Sequence, residues 1–117
     1  MTAIRRGRML LRMEFIETPT FTRLVSALMD DDEYASLQAT LALRPEAGRI
    51  IPGGGGVRKV RWAWRGRGKR GGLRLIYYWQ RAADRLWMLL VYPKSERDDL
   101  SPEQLGQLRI LVKEFLE

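Results

Sequence analysis

Residues 57–80, VRKVRWAWRGRGKRGGLRLIYYWQ, decide the architecture. The first eight alternate, placing Val57, Lys59, Arg61 and Ala63 on one face of an extended strand and Arg58, Val60, Trp62 and Trp64 on the other. The second set carries the aromatic bulk and reads as the core side. RGRGKRGG (65–72) holds too much glycine for the interior of an element, and LRLIYYWQ (73–80) resumes as a strand by its aromatic and β-branched content. The two strands form a hairpin. In the second, Arg74, Ile76, Tyr78 and Gln80 share one face, so Arg74 and Tyr78 travel together while Tyr77 turns to the core with Leu73, Leu75 and Trp79.

The flanking segments supply what the hairpin packs against. RLWMLLVY (85–92) is a third, more continuously apolar strand suited to a central position, and Pro93 ends it. EFIE (14–17) reads as a short first strand. FTRLVSALM (21–29) sets Phe21, Leu24, Val25 and Leu28 at helical spacing behind Thr20 as N-cap. A second helical run follows Asp30, Asp31 and Asp32 through Tyr34, Leu37, Leu41 and Leu43, and stops before Pro45. The segment from Pro45 through PGGGG (52–56) reads as loop. Ser101-Pro102-Glu103 opens a last helix with Leu105, Leu108, Leu111, Val112 and Phe115 at helical spacing. Helices first and hairpins after give an α+β fold: two N-terminal helices packed on a twisted antiparallel sheet, with a C-terminal helix. A chain of 117 residues with 45% apolar content supports one core, so residues 13–117 read as a single domain preceded by a basic extension over residues 1–12.

The net charge of +7 is unevenly placed. Residues 58–74 hold eight cations and no carboxylate, Arg5, Arg6, Arg8 and Arg12 add four more, and the remainder of the chain is at −5. A concentrated positive segment interleaved with Trp62, Trp64, Tyr77, Tyr78 and Trp79 favours a nucleic-acid partner. The competing reading is that the aromatics are core and the cations a solvated face. The chain has no cysteine and no histidine, so no thiolate or imidazole site for a metal exists and no cofactor is expected. Any acid–base chemistry falls to Lys, Arg, Tyr or carboxylates. The N-terminus is basic without the apolar stretch or cleavage site of a signal peptide, and no run reaches the eighteen apolar residues of a membrane span. A cytoplasmic location with no membrane partner is expected.

Three segments in order, GGVRKVRWAW (55–64), GKRGGLRLIYYW (68–79) and YPKSERDDLSPEQLGQL (92–108), resemble the RelE/ParE superfamily of type II toxins, specifically its HigB-like branch. The likeness runs over roughly residues 13–115, and a family start at Met13 would make residues 1–12 an upstream extension or a misassigned start. The resemblance implies a toxin whose concave sheet face binds RNA. It also implies a neighbouring-gene antitoxin of the HigA-like, helix-turn-helix kind, through which alone the complex would reach operator DNA. It further implies an endoribonuclease, an mRNA interferase that acts on the ribosome and blocks translation by 2′-hydroxyl attack without a metal.

On the family's pattern the basic positions of the first hairpin strand fall at Lys59 and Arg61, the two already placed on one face, and the arginine of its G-x-R-[LV]-[IV]-Y segment falls at Arg74. The resemblance assigns Lys59 to the 2′-hydroxyl, Arg61 to the phosphate and Arg74 to the transition-state charge, for which a planar fork is suited. Tyr78 is the tyrosine on the face of Arg74, and Lys94 matches a basic position after the third strand. Where the best-known members carry an arginine and a later tyrosine, this chain has Ser95 and no tyrosine, so the general acid stays open. Arg58, Arg65, Arg67, Lys69, Arg70 and Arg97 are expected as RNA-binding residues. The alternative is a non-catalytic, ParE-like binding module acting on DNA gyrase. A DNA-binding regulator is disfavoured, since no helix-turn-helix is legible.

Overall fold

Threonine and proline set the entry to the first helix. In the computed structural model, which describes residues 4–10 (as backbone), 12–64, 66, 68 and 72–117, helix α1 spans Pro19–Leu28 and its N-cap is Thr18, whose hydroxyl accepts from the Phe21 amide at 3.1 Å. The expected cap was Thr20. Pro19 moves the start two residues forward, because a proline has no amide to leave unsatisfied at the first helical position. Helix α2, Asp31–Leu43, begins on a reciprocal capping box between Asp30 and Glu33 and stops before Pro45 as expected. Leu43 is exposed rather than packed, off the stripe formed by Tyr34, Leu37 and Leu41.

Six strands are present among the described residues: β1 Ile4–Leu10, β2 Met13–Glu17, β3 Arg49–Ile50, β4 Arg58–Trp62, β5 Leu73–Gln80 and β6 Arg85–Pro93. They form one sheet in the order β1-β2-β6-β5-β4-β3. It is antiparallel, as expected, except where β2 lies parallel to β6. The two helices between β2 and the hairpin return the chain to the same end of the sheet and so permit that pair. Residues 4–10, read from sequence as part of an extension, pair with β2 as an edge strand. The two-residue β3, inside the segment read as loop, pairs with Arg58 and Lys59 and leaves the rest of the outer edge of β4 without a strand neighbour among the described residues.

The sheet is covered on both faces. Under α1 and α2 lie Phe15, Leu73, Leu75, Tyr77, Leu86, Met88 and Val91, with Val60, Trp62, Trp64 and Trp79 packed around them. The hairpin tryptophans are thus core-side residues, as the alternation predicted. A full leucine or phenylalanine burial contributes about 1.5–3 kcal/mol, and this cluster is the larger of the two. The opposite face carries Val57, Ile76, Leu89 and Tyr92 against Val112 and Leu116 of the C-terminal helix. A bulge opposite Ile76 and Tyr77 lets Leu89 and Leu90 both turn to this face, which changes the parity of β6 along its length. Helix α3, Pro102–Leu111, starts on a Ser101–Gln104 capping box and continues as a wider π-type turn over Val112–Leu116. That widening rotates the helix phase, so Leu116 is buried and Phe115, expected in the core, is exposed.

Candidate functional site

Strand register brings the cations together. Arg61 on β4 stands directly opposite Arg74 on β5, which stands opposite Tyr92 on β6. Lys59 precedes Arg61 by one pleat on the same face. Two arginines facing each other across neighbouring strands are only about 5 Å apart at Cβ, and like charges in that position destabilise a sheet. The arrangement persists because the segment joining β6 to α3 lays two carboxylates over it.

Those carboxylates are consecutive. Asp98 accepts from the Arg74 Nε at 3.2 Å, and Asp99 accepts from the Lys59 Nζ at 2.6 Å. Their segment is fixed at both ends. The Lys94 amide donates to the Gly72 carbonyl at 3.0 Å, the Glu96 amide to the Pro93 carbonyl at 3.0 Å, and Ser101 caps α3. In the middle the Tyr92 hydroxyl donates to the Asp98 carbonyl at 3.3 Å, and the Arg97 guanidinium sits over the Tyr92 ring at 5.4 Å. The result is a strap of two negative charges on a cationic face.

Exposure divides the site residues. Arg61 and Lys94 are exposed, Lys59 is half-buried, and Arg74 is only 1% exposed, closed over beneath Asp98. In this state Arg74 is withdrawn from solvent, with Asp98 on its Nε. Tyr78 is on the face of Arg74, as its parity required, but four residues further along β5, roughly 13 Å at a strand's rise. It packs instead with Ile76 and the C-terminal helix. The register sets Tyr78 one pleat beyond Ile76, the partner of Lys59, and away from Arg61 and Arg74; the tyrosine opposite Arg74 is Tyr92.

Arg58 turns to the opposite face. Its guanidinium donates to the Gly48 carbonyl at 2.9 Å and lies 6.0 Å from the Trp79 ring, where it holds the loop after α2. Arg97 is exposed at the strap. Arg65, Arg67, Lys69 and Arg70 lie outside the described residues.

The electrostatics follow the geometry. The Lys59 ammonium, first by its hydrogen bond and then by its charge, holds the Asp99 carboxyl below the usual carboxylate range, with Arg61 and Arg74 adding to the effect. Burial pushes the Tyr92 hydroxyl above the usual tyrosine range, and the negative charge of Asp99 pushes it further. A depressed carboxyl contributes its pairing above the ordinary pKa of about 3.9 and loses it only as pH falls through the lower folded value. Replacing Lys59 with methionine is accordingly expected to move the Asp99 titration upward toward the ordinary range, followed by carboxyl carbon chemical shifts. An unmoved midpoint would mean that the Lys59–Asp99 pair does not form in solution.

Tyr92, Asp98 and Asp99 were not singled out from sequence. Asp98 and Asp99 do sit between a strand-ending proline and a helix-opening Ser-Pro, which marks them as a short connection. That they fall on Lys59 and Arg74 depends on the sheet order. No group of three metal-ligating side chains is clustered among the described residues, and no helix there is long and apolar enough to cross a membrane.

A family model described as the RelE toxin of the RelE/RelB toxin–antitoxin system matches residues 26–117, from α1 through the C-terminal helix. The chain belongs to that family. The RelE match covers every strand of the cationic row together with the strap, and it gives the chain the role of a toxin within a toxin–antitoxin system, with an antitoxin as partner.

Proposed function

We propose that this RelE-family toxin is an endoribonuclease that cleaves messenger RNA on the ribosome by metal-independent attack of a 2′-hydroxyl on the adjacent phosphate, in the cytoplasm, so stopping translation. The observation that carries the reading is the row of Arg61 opposite Arg74 with Lys59 one pleat away. In-line attack forms a bond from the 2′-oxygen to phosphorus, breaks the bond to the 5′-oxygen, and leaves a 2′,3′-cyclic phosphate and a 5′-hydroxyl. The pentavalent phosphorane between them carries extra negative charge on its non-bridging oxygens. Preorganised cations aimed at that charge commonly make the largest single contribution to such catalysis. Arg61 holds the incoming phosphate and Lys59 orients the 2′-hydroxyl, whose proton passes to solvent water as its oxygen bonds to phosphorus. The phosphate displaces Asp98, and Arg74 then presents its freed edge to the phosphorane. Lys94, exposed just after β6, and Tyr92, across from Arg74 with its hydroxyl on the Asp98 carbonyl, are the candidate donors for the leaving oxygen.

A HigA-like antitoxin carrying a helix-turn-helix fits as the partner, with operator DNA reached only through it. One observation favours the second reading, a ParE-like module that binds DNA gyrase without catalysis: Arg74 is closed over in the free protein. Primer-extension mapping of mRNA in a translating extract separates the two. Wild-type protein is expected to produce new ends within coding sequence, and Arg61→Ala, an exposed site whose loss leaves the fold intact, to lower their yield about 10²-fold. Arrest of translation without new ends, together with inhibited supercoiling by gyrase, would replace the nuclease with the binding module.

A further inference from the structure

The outer edge of β4 opens into a groove of about 540 Å³ that the cationic row does not account for. It runs along an edge and so draws on both faces of the sheet: Lys59 and Arg61 from one, Val60 and Trp62 from the other. The short pairing with β3 leaves this edge open beyond Lys59. Arg44, at the end of α2, and Arg49, on β3, complete a rim of four cations. Among the described residues Asp99 is the one carboxylate lining the groove, and Lys59 already holds it at 2.6 Å. Glu46 reaches Arg44 at 3.8 Å, but both are well exposed, and such a pair contributes little in water. The groove's apolar lining comes from Val60 and Trp62 on β4 and from Ile50, Ile51 and Pro52 on and after β3.

We infer that this groove is a subsite for one unpaired RNA nucleotide flanking the cleaved phosphate, an inference that rests on the ribonuclease reading. A single nucleotide offers an aromatic face and an anionic backbone, which is the complement of an apolar floor inside a cationic rim. The volume falls within the range of small-ligand sites. Arg61 lines both the groove and the row, so a base seated on Trp62 keeps its phosphate beside Arg61 and the next phosphate over Arg74. The unpaired backbone of β4 supplies donors and acceptors for the base edge. Arg44 and Arg49 then act on binding, with no part in the chemistry.

The test uses the full chain and a short unstructured RNA made uncleavable by 2′-O-methylation and carrying 5-iodouridine. Illumination is expected to cross-link it to Trp62 or to the 44–52 segment. Arg44→Ala with Arg49→Ala is expected to raise the dissociation constant on the order of tenfold and to lower the salt slope by about 1 for each phosphate that is no longer neutralised. Trp62→Phe, which keeps an aromatic floor and the fold, is expected to retain most of the binding. Unchanged affinity in the double variant, with cross-links elsewhere, overturns the subsite; if wild-type protein still cleaves mRNA in extract, the ribonuclease reading survives that result. Absence of both RNA binding and cleavage by the wild-type chain overturns both. A double variant that binds RNA normally but loses the antitoxin makes the groove a face for an acidic peptide and likewise overturns the inference.

Discussion

Arg74→Ala is expected to lower single-turnover mRNA cleavage by about 10²–10³-fold, the cost of removing one preorganised donor to a developing oxyanion. Arg74 is central because it is opposed on one side by Arg61 and on the other by Tyr92, so no other cation can take its place in the row. Its burial complicates the experiment, since truncation also leaves Asp98 without its 3.2 Å partner and opens space beneath the strap. Arg74→Lys separates the effects. Lysine keeps the charge and most of the packed stem but loses the planar fork, so a thermal melt near wild type with cleavage still depressed at least tenfold assigns the loss to chemistry. Asp98→Asn acts in the opposite direction: it removes the charge that competes with phosphate for Arg74 and is expected to tighten RNA binding. Unchanged cleavage in Arg74→Ala would remove Arg74 from the proposed centre, whereas two other results would revise its role: full activity in Arg74→Lys, or weaker RNA binding in Asp98→Asn. The former would mean that a point charge suffices, and the latter that Asp98 positions rather than shields.

Local pattern carried most of the fold because each element announces itself over a few residues. Pro45 ends α2, Ser101-Pro102 opens α3, and the alternation in RKVRW assigns Lys59 and Arg61 to one face before any register is known. What stayed hidden needed partners distant in sequence. The strand β3 is two residues long and is a strand only because Arg58 and Lys59 lie beside it. The parity of β6 breaks at a bulge, so simple alternation through RLWMLLVY does not put Tyr92 beside Arg74. Asp98 and Asp99 acquire meaning only once β6 lies next to β5, 24 and 40 residues from the cations they meet. The candidate cations were legible because strand parity is local. Their burial, and the strap that closes over Arg74, were not.

Tyr77→Phe is expected to destabilise the protein by about 2 kcal/mol, within the range of about 1–3 kcal/mol for a buried polar group left unpaired. The Tyr77 ring is fully buried under the helices, and its hydroxyl donates to the Pro45 carbonyl at 2.6 Å while accepting from the Gly48 amide at 2.8 Å. These two bonds close the turn between α2 and β3, which sets the positions of Arg44 and Arg49 on the groove. Gly48 is fitted to the same contact: a Cβ there would stand 2.8 Å from the ring. Removing the hydroxyl strands one buried acceptor and one buried donor with no room for a side chain to reach them. Burial also raises the Tyr77 pKa. A neutral group with a raised folded pKa stabilises below its unfolded value near 10 and loses that contribution as pH rises from there through the folded value. Wild-type stability therefore falls with pH in that window, Tyr77→Phe lacks this share of the fall, and the gap between them narrows. Tyr92 has the same sign but is present in both proteins and cancels in the comparison. Urea unfolding at pH 7 and again above pH 10 reads the gap directly. A gap absent at pH 7 would mean that the hydroxyl does not hold the Pro45–Gly48 turn, and the groove would then owe its shape to the β3–β4 pairing alone; a gap equally wide at both would mean that burial does not raise the Tyr77 pKa.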